Sequence, residues 1–334
     1  MQRWIDPSAG FTLAGAGTYE PSCAVTSDQL DAAHRRPIGT SLKLGIRERR
    51  YATASETSSF MAAEAGRRAV ADAGWEVGQI DALIGACGVM EQPIPGTSAL
   101  VQRRLGLGES GIPAFDVNAT CLSFLPAVDH ALAGMVLKGW RRVLIFAADI
   151  ASAALNHDDL EASAIFGDGA AAVALEAGGP SHILASRLET YGDHSALCRL
   201  EAGGTRLRPH DDLPDFLARS RFHMEGIALF KVTARRFPPF MARLFAEAGL
   251  GPDDIGTIIP HQASAPALAH LGRALGGDPG RIVDTFATLG NRIASSLPHA
   301  LATARREGRL APGSASLLVG SSAGVSLGGM IVRW

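Results

Sequence analysis

Hydrophobic and polar positions follow two alternating rhythms along this chain. FTLAGAG (residues 11–17) reads as a strand. SETSSFMAAEAGRRAVADAG (55–74) opens with serines and threonines able to cap a helix, carries an apolar face at helical spacing and ends in glycine. IDALIGACG (80–88) is a short buried strand, and GTSALVQRRLGLG (96–108) a helix closed by Gly106. RRVLIFAADI (141–150) is a strongly apolar strand, and AAAVALEAG (170–178) another. From Cys121 onward, Phe124, Leu125, Val128, Ala131, Leu132 and Met135 fall on one helical face. A helix with Cys121 in its first turn is therefore expected, capped by Asn118 or Thr120. The alternation is that of an α/β protein.

The second half repeats the first in order. ADAGWEVGQIDALIGACG (71–88) lines up with AEAGLGPDDIGTIIPHQA (246–263), and TSALVQRRLGL (97–107) with APALAHLGRALGG (265–277). DVNAT (116–120) echoes DTFAT (284–288), and RRVLIFAADI echoes SASLLVGSSAG (314–324). Chance similarity does not preserve order, so a duplication is inferred. The join falls near GGPSHI (178–183). Residues 195–222, polar and rich in arginine and histidine, break the symmetry and read as an insertion over a surface or pocket.

With 334 residues, 47% of them hydrophobic, the chain can bury one large core or two fused ones. A formal net charge of -2 gives no electrostatic footprint for nucleic acid. Cys23, Cys87, Cys121 and Cys198 form neither a CxxC pair nor a disulfide framework, and free thiols fit a reducing compartment. The opening MQRWIDPSAG has no apolar core of signal-peptide type, and no run approaches the roughly 18 to 20 apolar residues that span a bilayer. A soluble, cytoplasmic protein is expected, with no membrane and no nucleic-acid partner.

In a first helical turn, free backbone N–H groups and the helix dipole favour negative charge. A thiol there is drawn below its usual pKa near 8.5. A free cysteine is also ordinary small filler, and that reading is kept for Cys23, Cys87 and Cys198. His261 follows the apolar run GTIIP, and Asn291 lies in the glycine loop of ATLGNR. Alone, each reads as a structural or turn residue. The repeat, however, puts all three at strand-to-helix junctions on one edge of their layers, where sites form in open α/β sheets. A thiolate and two N–H donors facing one space can do chemistry together. Asp168 of GDGA (167–170) reads as a turn carboxylate capping backbone N–H groups. The arginines of GIRERR (45–50) read equally as contacts to a phosphate or acidic carrier and as a solvated face. Ser321, Ser322 and Ser326 have no base marked for them.

Taken together, Cys121, His261-Gln262-Ala263, Gly290-Asn291, GIRERR, FDVNATC (115–121), IFGDGAAAV (165–173) and GSSAGVSLGGMIVRW (320–334) resemble the ketoacyl-carrier-protein synthase III group of the thiolase superfamily. The resemblance runs in order over nearly the whole chain. It implies a five-layered αβαβα thiolase-like sandwich made of two duplicated halves, residues 1–179 carrying Cys121 and 180–334 carrying His261 and Asn291. It implies a homodimer with a continuous sheet across the interface. It also implies an acyltransferase. Cys121 takes an acyl group from a thioester, and the backbone N–H groups of Cys121 and Ala323 hold the oxyanion. His261 and Asn291 bind the thioester carbonyl of a malonyl unit as CO2 leaves. The carbanion then attacks the acyl-cysteine, giving a 3-oxoacyl thioester in fatty-acid or related biosynthesis. No metal or redox cofactor enters, and acyl-CoA, acyl carrier protein and malonyl thioesters are the implied substrates.

The chain departs from that pattern in places. Where family members clamp the adenine of coenzyme A between tryptophan and arginine, it has Gly39 and Leu160. Ala323 stands for the usual glycine, Pro266 for the arginine that often follows HQA, and Leu122-Ser123 for the small residues after the nucleophile. Lys231 and Arg273 match basic carrier-contacting positions. Met90 to Pro95 occupies the loop that reaches into the partner's acyl pocket, with Ile94 where chain length is set. Head-to-head condensing enzymes of olefin synthesis carry a glutamate near that place; its absence here argues against that activity, while Glu91, one turn away, keeps the question open. Two other readings remain: transfer of the acyl group from Cys121 to an alcohol or amine, and a non-catalytic thiolase-fold partner subunit. A biosynthetic thiolase is disfavoured, because GSSAGVSLGG has no second cysteine.

Overall fold

In the computed structural model, which describes residues 10–156, 159 and 163–334, the strands form two main sheets. The first runs β1 (Phe11–Tyr19), β7 (Gly169–Ala177), β6 (Arg142–Asp149), β4 (Ala82–Gly85), β5 (Ala114–Asp116). The second runs β8 (His182–Thr190), β13 (Ser326–Arg333), β12 (Ala315–Ser322), β11 (Ile255–Pro260). From β1 the first sheet goes antiparallel, antiparallel, parallel, parallel. From β8 the second goes antiparallel, antiparallel, parallel, and a parallel bridge between Ile258 and Ile282 adds the fifth position. The shared order supports the division proposed at 179/180, in the turn between β7 and β8. Two short ribbons complete the strands: β2 (Cys23–Thr26) with β3 (Glu48–Tyr51), and β9 (Cys198–Arg199) with β10 (His223–Met224).

The helices make the other layers. Helix Ser58–Asp72 packs on β1, β7 and β6, and Thr97–Arg104 on β4 and β5. Helices Phe124–Lys138 and Ser296–Arg306 lie between the sheets; the first touches β6 and β13, the second β7 and β11. Gly226–Ala248 covers β13 and β8 from outside. The five αβαβα layers follow. Because both faces of the first sheet are covered, its central strands are apolar over most of their length, Ala82–Gly85 throughout and 143–148 and 170–175 between polar ends. Their two-residue period sends Ile84, Ile145 and Val173 into the central core, and Leu83, Leu144, Phe146 and Ala172 into the outer one.

The expected elements at 55–74, 80–88, 96–108 and 141–150 are present but shorter, the strand at 11–17 runs on to Tyr19, and that at 170–178 is shifted by one residue to Gly169–Ala177. Thr57 caps the helix Ser58–Asp72, its hydroxyl accepting from Phe60 N–H. One expectation is corrected. The helix expected from Cys121 begins at Phe124, so Cys121 precedes its first turn. No helix of the described residues is long and apolar enough to cross a membrane.

Candidate active site

Cys121 sits in a tight turn between β5 and the helix Phe124–Lys138. Val117 N–H donates to Gly85 C=O at 2.8 Å and carries the chain out of the sheet. Thr120 then takes φ 52°, a left-handed conformation that costs a β-branched residue about 1–3 kcal/mol. Side chains hold it there. Asn118 Oδ1 accepts from Thr120 N–H at 2.8 Å, and Ser123 Oγ accepts from Ala119 N–H at 2.9 Å while donating to Thr120 C=O at 2.7 Å. Neither Asn118 nor Thr120 caps the helix; both are spent on this turn. The strained turn is why the helix starts three residues late.

Thr120 Oγ1 donates to Ala323 C=O at 3.3 Å, tying the turn to the connection between β12 and β13. The backbone N–H groups of Cys121 and Ala323 favour the thiolate form of Cys121. The thiol opens onto a cavity and not onto bulk water, so burial raises its pKa far above the usual thiol range, and a smaller contribution comes from the nearby Cys198. This reverses the expected direction: removal from the helix turn and removal from water outweigh the two N–H donors. The free protein should therefore show Cys121 alkylation by iodoacetamide that climbs through pH 9 without a plateau. A plateau near pH 7, read by intact mass, would mean a resident thiolate.

His261 follows β11. Its N–H donates to Val319 C=O at 2.8 Å, which sets it beside β12. The ring is 5% exposed, its Nδ1 has no hydrogen-bond partner, and burial lowers its pKa to about 4. At neutral pH it is an uncharged imidazole with one N–H to give. Gln262 locks the loop: Nε2 donates to Pro260 and Val283 C=O, and Oε1 accepts from Thr285 N–H. A Cβ on Gly320 would stand 2.5 Å from His261 Cβ and 3.1 Å from Leu122 Cδ2. Gly320→Ala must push His261 bodily aside, and a displacement near 1 Å costs on the order of 100-fold in rate. Thermal unfolding should fall by far less than turnover; an unaltered rate would show that the ring is not held by this contact.

Asn291 is fixed by backbone pairing to the segment before β7. Its N–H donates to Ile165 C=O at 2.8 Å, and Gly167 N–H donates to its C=O at 3.1 Å. Its Oδ1 accepts from Ile293 N–H at 2.9 Å, which orients Nδ2 as the donor. Gly290 beside it has φ 71°, and a Cβ there would stand 2.5 Å from Arg49 Nε.

Cys121, His261, Asn291 and Ala323, far apart in sequence, line one cavity of about 1280 Å³. Residues of the 195–222 segment, Cys198, Leu200 and Phe222 among them, form part of its wall. Ile94, 85% exposed, does not line it. Lys231 and Arg273 are exposed on helices Gly226–Ala248 and Ala265–Ala274, whose Phe230 and His270 do line it and meet edge-to-face at 5.4 Å. Gly39 has open space where a side chain would stand, and Leu160 lies outside the described residues.

Several sequence readings change. Arg49 of GIRERR is neither a phosphate contact nor solvated: it is fully buried, donates to Glu48 and Phe286 C=O and lies over the Phe286 ring at 4.8 Å. Arg50 pairs with Glu48 at 2.9 Å. Asp168, by contrast, keeps the structural role expected of it, accepting from Ala52 N–H, Ser152 N–H and Ser152 Oγ. Glu91 is spent on Ser59 N–H at 2.6 Å. Cys198, read as filler, faces the cavity. Asp149 was missed. Fully buried at the end of β6, it accepts from Gly88, Val89 and Ser295 N–H, joining the loop behind Cys121 to the segment after Asn291. Burial raises its pKa to about 7. The only signal was an acid closing an otherwise apolar strand. Among the described residues no group of three or more His, Cys, Asp or Glu could hold a metal ion.

The chain is similar to known proteins over nearly its whole length. The family model of 3-oxoacyl-[acyl-carrier-protein] synthase III matches residues 115–192, and that of its C-terminal part residues 245–334. The beta-ketoacyl-[acyl-carrier-protein] synthase III of Bordetella petrii is 35% identical over 327 residues, covering 96% of this chain and 97% of the relative. A third such synthase of Streptomyces coelicolor is 35% identical, covering 96% of each chain. Among solved structures, the 3-oxoacyl-[acyl-carrier-protein] synthase III of Aquifex aeolicus superposes with a TM-score of 0.86 at 28% identity, over 97% of this chain and 100% of the other. Xanthomonas campestris OleA, at 20% identity and a TM-score of 0.85 over 98% of each chain, shares the fold.

Proposed function

We propose, from the premise that this chain belongs to the beta-ketoacyl-[acyl-carrier-protein] synthase III family, that its cavity performs decarboxylative Claisen condensation through an acyl group on Cys121. The protein is an acyltransferase of thiolase fold that joins an acyl thioester to a malonyl thioester. The observation that carries the residue assignment is the single cavity that Cys121 and Ala323 share with a neutral imidazole and an oriented carboxamide.

In the first half-reaction the Cys121 sulfur attacks the acyl thioester. The tetrahedral oxyanion accepts from the N–H groups of Cys121 and Ala323. Collapse expels the carrier thiolate, which takes the proton that Cys121 gives up. Because the free thiol is held protonated by burial, attack and proton loss are coupled to substrate entry. In the second half-reaction the bond from the malonyl α-carbon to its carboxylate breaks, and CO2 departs. The electron pair spreads onto the thioester oxygen, which accepts from His261 and Asn291. A neutral imidazole suits this donor role, since it brings no charge that must be desolvated. The α-carbon attacks the acyl-cysteine, the same two N–H groups hold the second oxyanion, and its collapse expels Cys121 as a thiolate, which takes a proton from water to restore the free thiol. This scheme calls for no metal or redox cofactor.

The carrier of each substrate, CoA or acyl carrier protein, belongs to the proposal, as does the homodimer. The outer edge of β5 has no partner strand in this chain among the described residues, which supports pairing with a second copy. The spent Glu91 carboxylate argues against the head-to-head activity left open earlier. Intact-protein mass spectrometry after incubation with an acyl thioester tests the reading. One acyl mass should appear on Cys121, and malonyl thioester should remove it with CO2 and a 3-oxoacyl product. Removal by an alcohol or amine alone would favour the other acceptor class. A chain that takes no acyl group but binds a second subunit would be the non-catalytic partner.

A further inference from the structure

We infer that the acyl group carried on Cys121 is uncharged and longer than acetyl, and that Cys198 is the wall residue that admits it. This rests on the acyl-transfer reading. The cavity, at about 1280 Å³, exceeds the roughly 300–1,000 Å³ of sites that hold drug-sized ligands. A thioester arm and a two-carbon acyl group leave much of such a space empty, and unfilled apolar space forfeits packing.

The lining is graded in exposure. Ile227 and Phe230 are 68% and 44% exposed, an open mouth. Ala151, Leu155 and Phe166 are buried and form one apolar cluster, with Phe222 edge-on to Phe166 at 5.2 Å. Phe166 is bridged to Asn291, so this closed end borders the reacting groups. Among the described residues, charge is nearly absent from the lining: besides histidines and cysteines, Glu91 and Arg199 are its ionisable side chains. Glu91 is held by Ser59 N–H, and Arg199 by Glu201 at 2.7 Å. Neither is left to receive a charged acyl terminus.

Cys198 stands in β9 opposite Met224, and both line the cavity. Its thiol is near enough to Cys121 to act on that group electrostatically. Burial pushes its own pKa up to about 11, so at neutral pH it is a small uncharged group and not a rival nucleophile. A small residue on the wall of the cavity that Cys121 shares leaves space open for a chain.

The probes are S-acyl pantetheines, which carry the arm common to CoA and carrier protein, with acetyl, hexanoyl and decanoyl chains. Each buried methylene is worth about fourfold in selectivity. The four extra methylenes of hexanoyl allow a preference on the order of 100-fold. The expected result is Cys121 acylation by hexanoyl pantetheine at least about tenfold faster than by the acetyl ester. Cys198→Trp should reverse that order while acetyl labelling persists. Wild-type acetylation as fast as hexanoylation overturns the inference whatever the variant does. So does a folded Cys198→Trp protein with an unaltered preference. A wild-type protein that takes none of the three chains sinks the acyl-transfer reading, and this inference with it.

Discussion

Cys121→Ala should abolish the acyl adduct and lower condensation by a factor on the order of 10⁶, the scale on which enzymes lose rate with their nucleophile. The fold should survive. Cys121 is partly open to the cavity, and the turn around it is held by Asn118, Ser123 and Thr120, none of which bonds to the sulfur. The same variant should still release CO2 from malonyl thioester, because His261 and Asn291 are untouched. Loss of decarboxylation together with acylation would mean that the donors need the sulfur in place, and the division of labour proposed above would fail.

The converse variants carry the second large effect. Asn291→Ala and His261→Ala should each leave Cys121 acylation within a few-fold of wild type. Decarboxylation should fall by roughly 10²–10³, the cost of one preorganised oxyanion donor. The double variant should lose less than the product of the two, since both donors serve one oxygen. The pH profile adds a check. An imidazole with a pKa near 4 does not titrate between pH 5 and 8, so in Asp149→Asn, which removes the buried carboxyl with a pKa of about 7, decarboxylation should be flat there. An inflection near 6.5 in that variant would show a solvated ring. Single-turnover measurement of CO2 release separates these outcomes from acylation.

The sequence carried much of this. Order-preserving similarity between 71–88 and 246–263 anticipated two sheets of like topology, because strand order follows from the order of buried apolar runs. His261 and Asn291 were legible because each closes an apolar run at a glycine or proline. The start of the cysteine's helix was not. Apolar spacing marks a face but not the residue where φ changes sign, and Thr120 is a poor candidate for φ 52° on propensity alone. The depressed thiol pKa expected from that helix failed with it. Arg49 was misread because charge in a sequence says nothing about burial: a guanidinium over the Phe286 ring and bonded to two carbonyls can be interior. Cys198 and Asp149 were lost for a related reason. Their significance lies in what the fold brings beside them.

The placement of β13 between β8 and β12 bears on how the protein is made. Neither neighbour can complete its ladder until that thirteenth strand is synthesised, and pairing β8 with it spans well over a hundred residues. A ribosome-bound intermediate can already present the thiol, yet it lacks the N–H of Ala323 and a settled imidazole. On the mechanism proposed above, the competence to release CO2 from a malonyl thioester is therefore expected only after this last strand has paired.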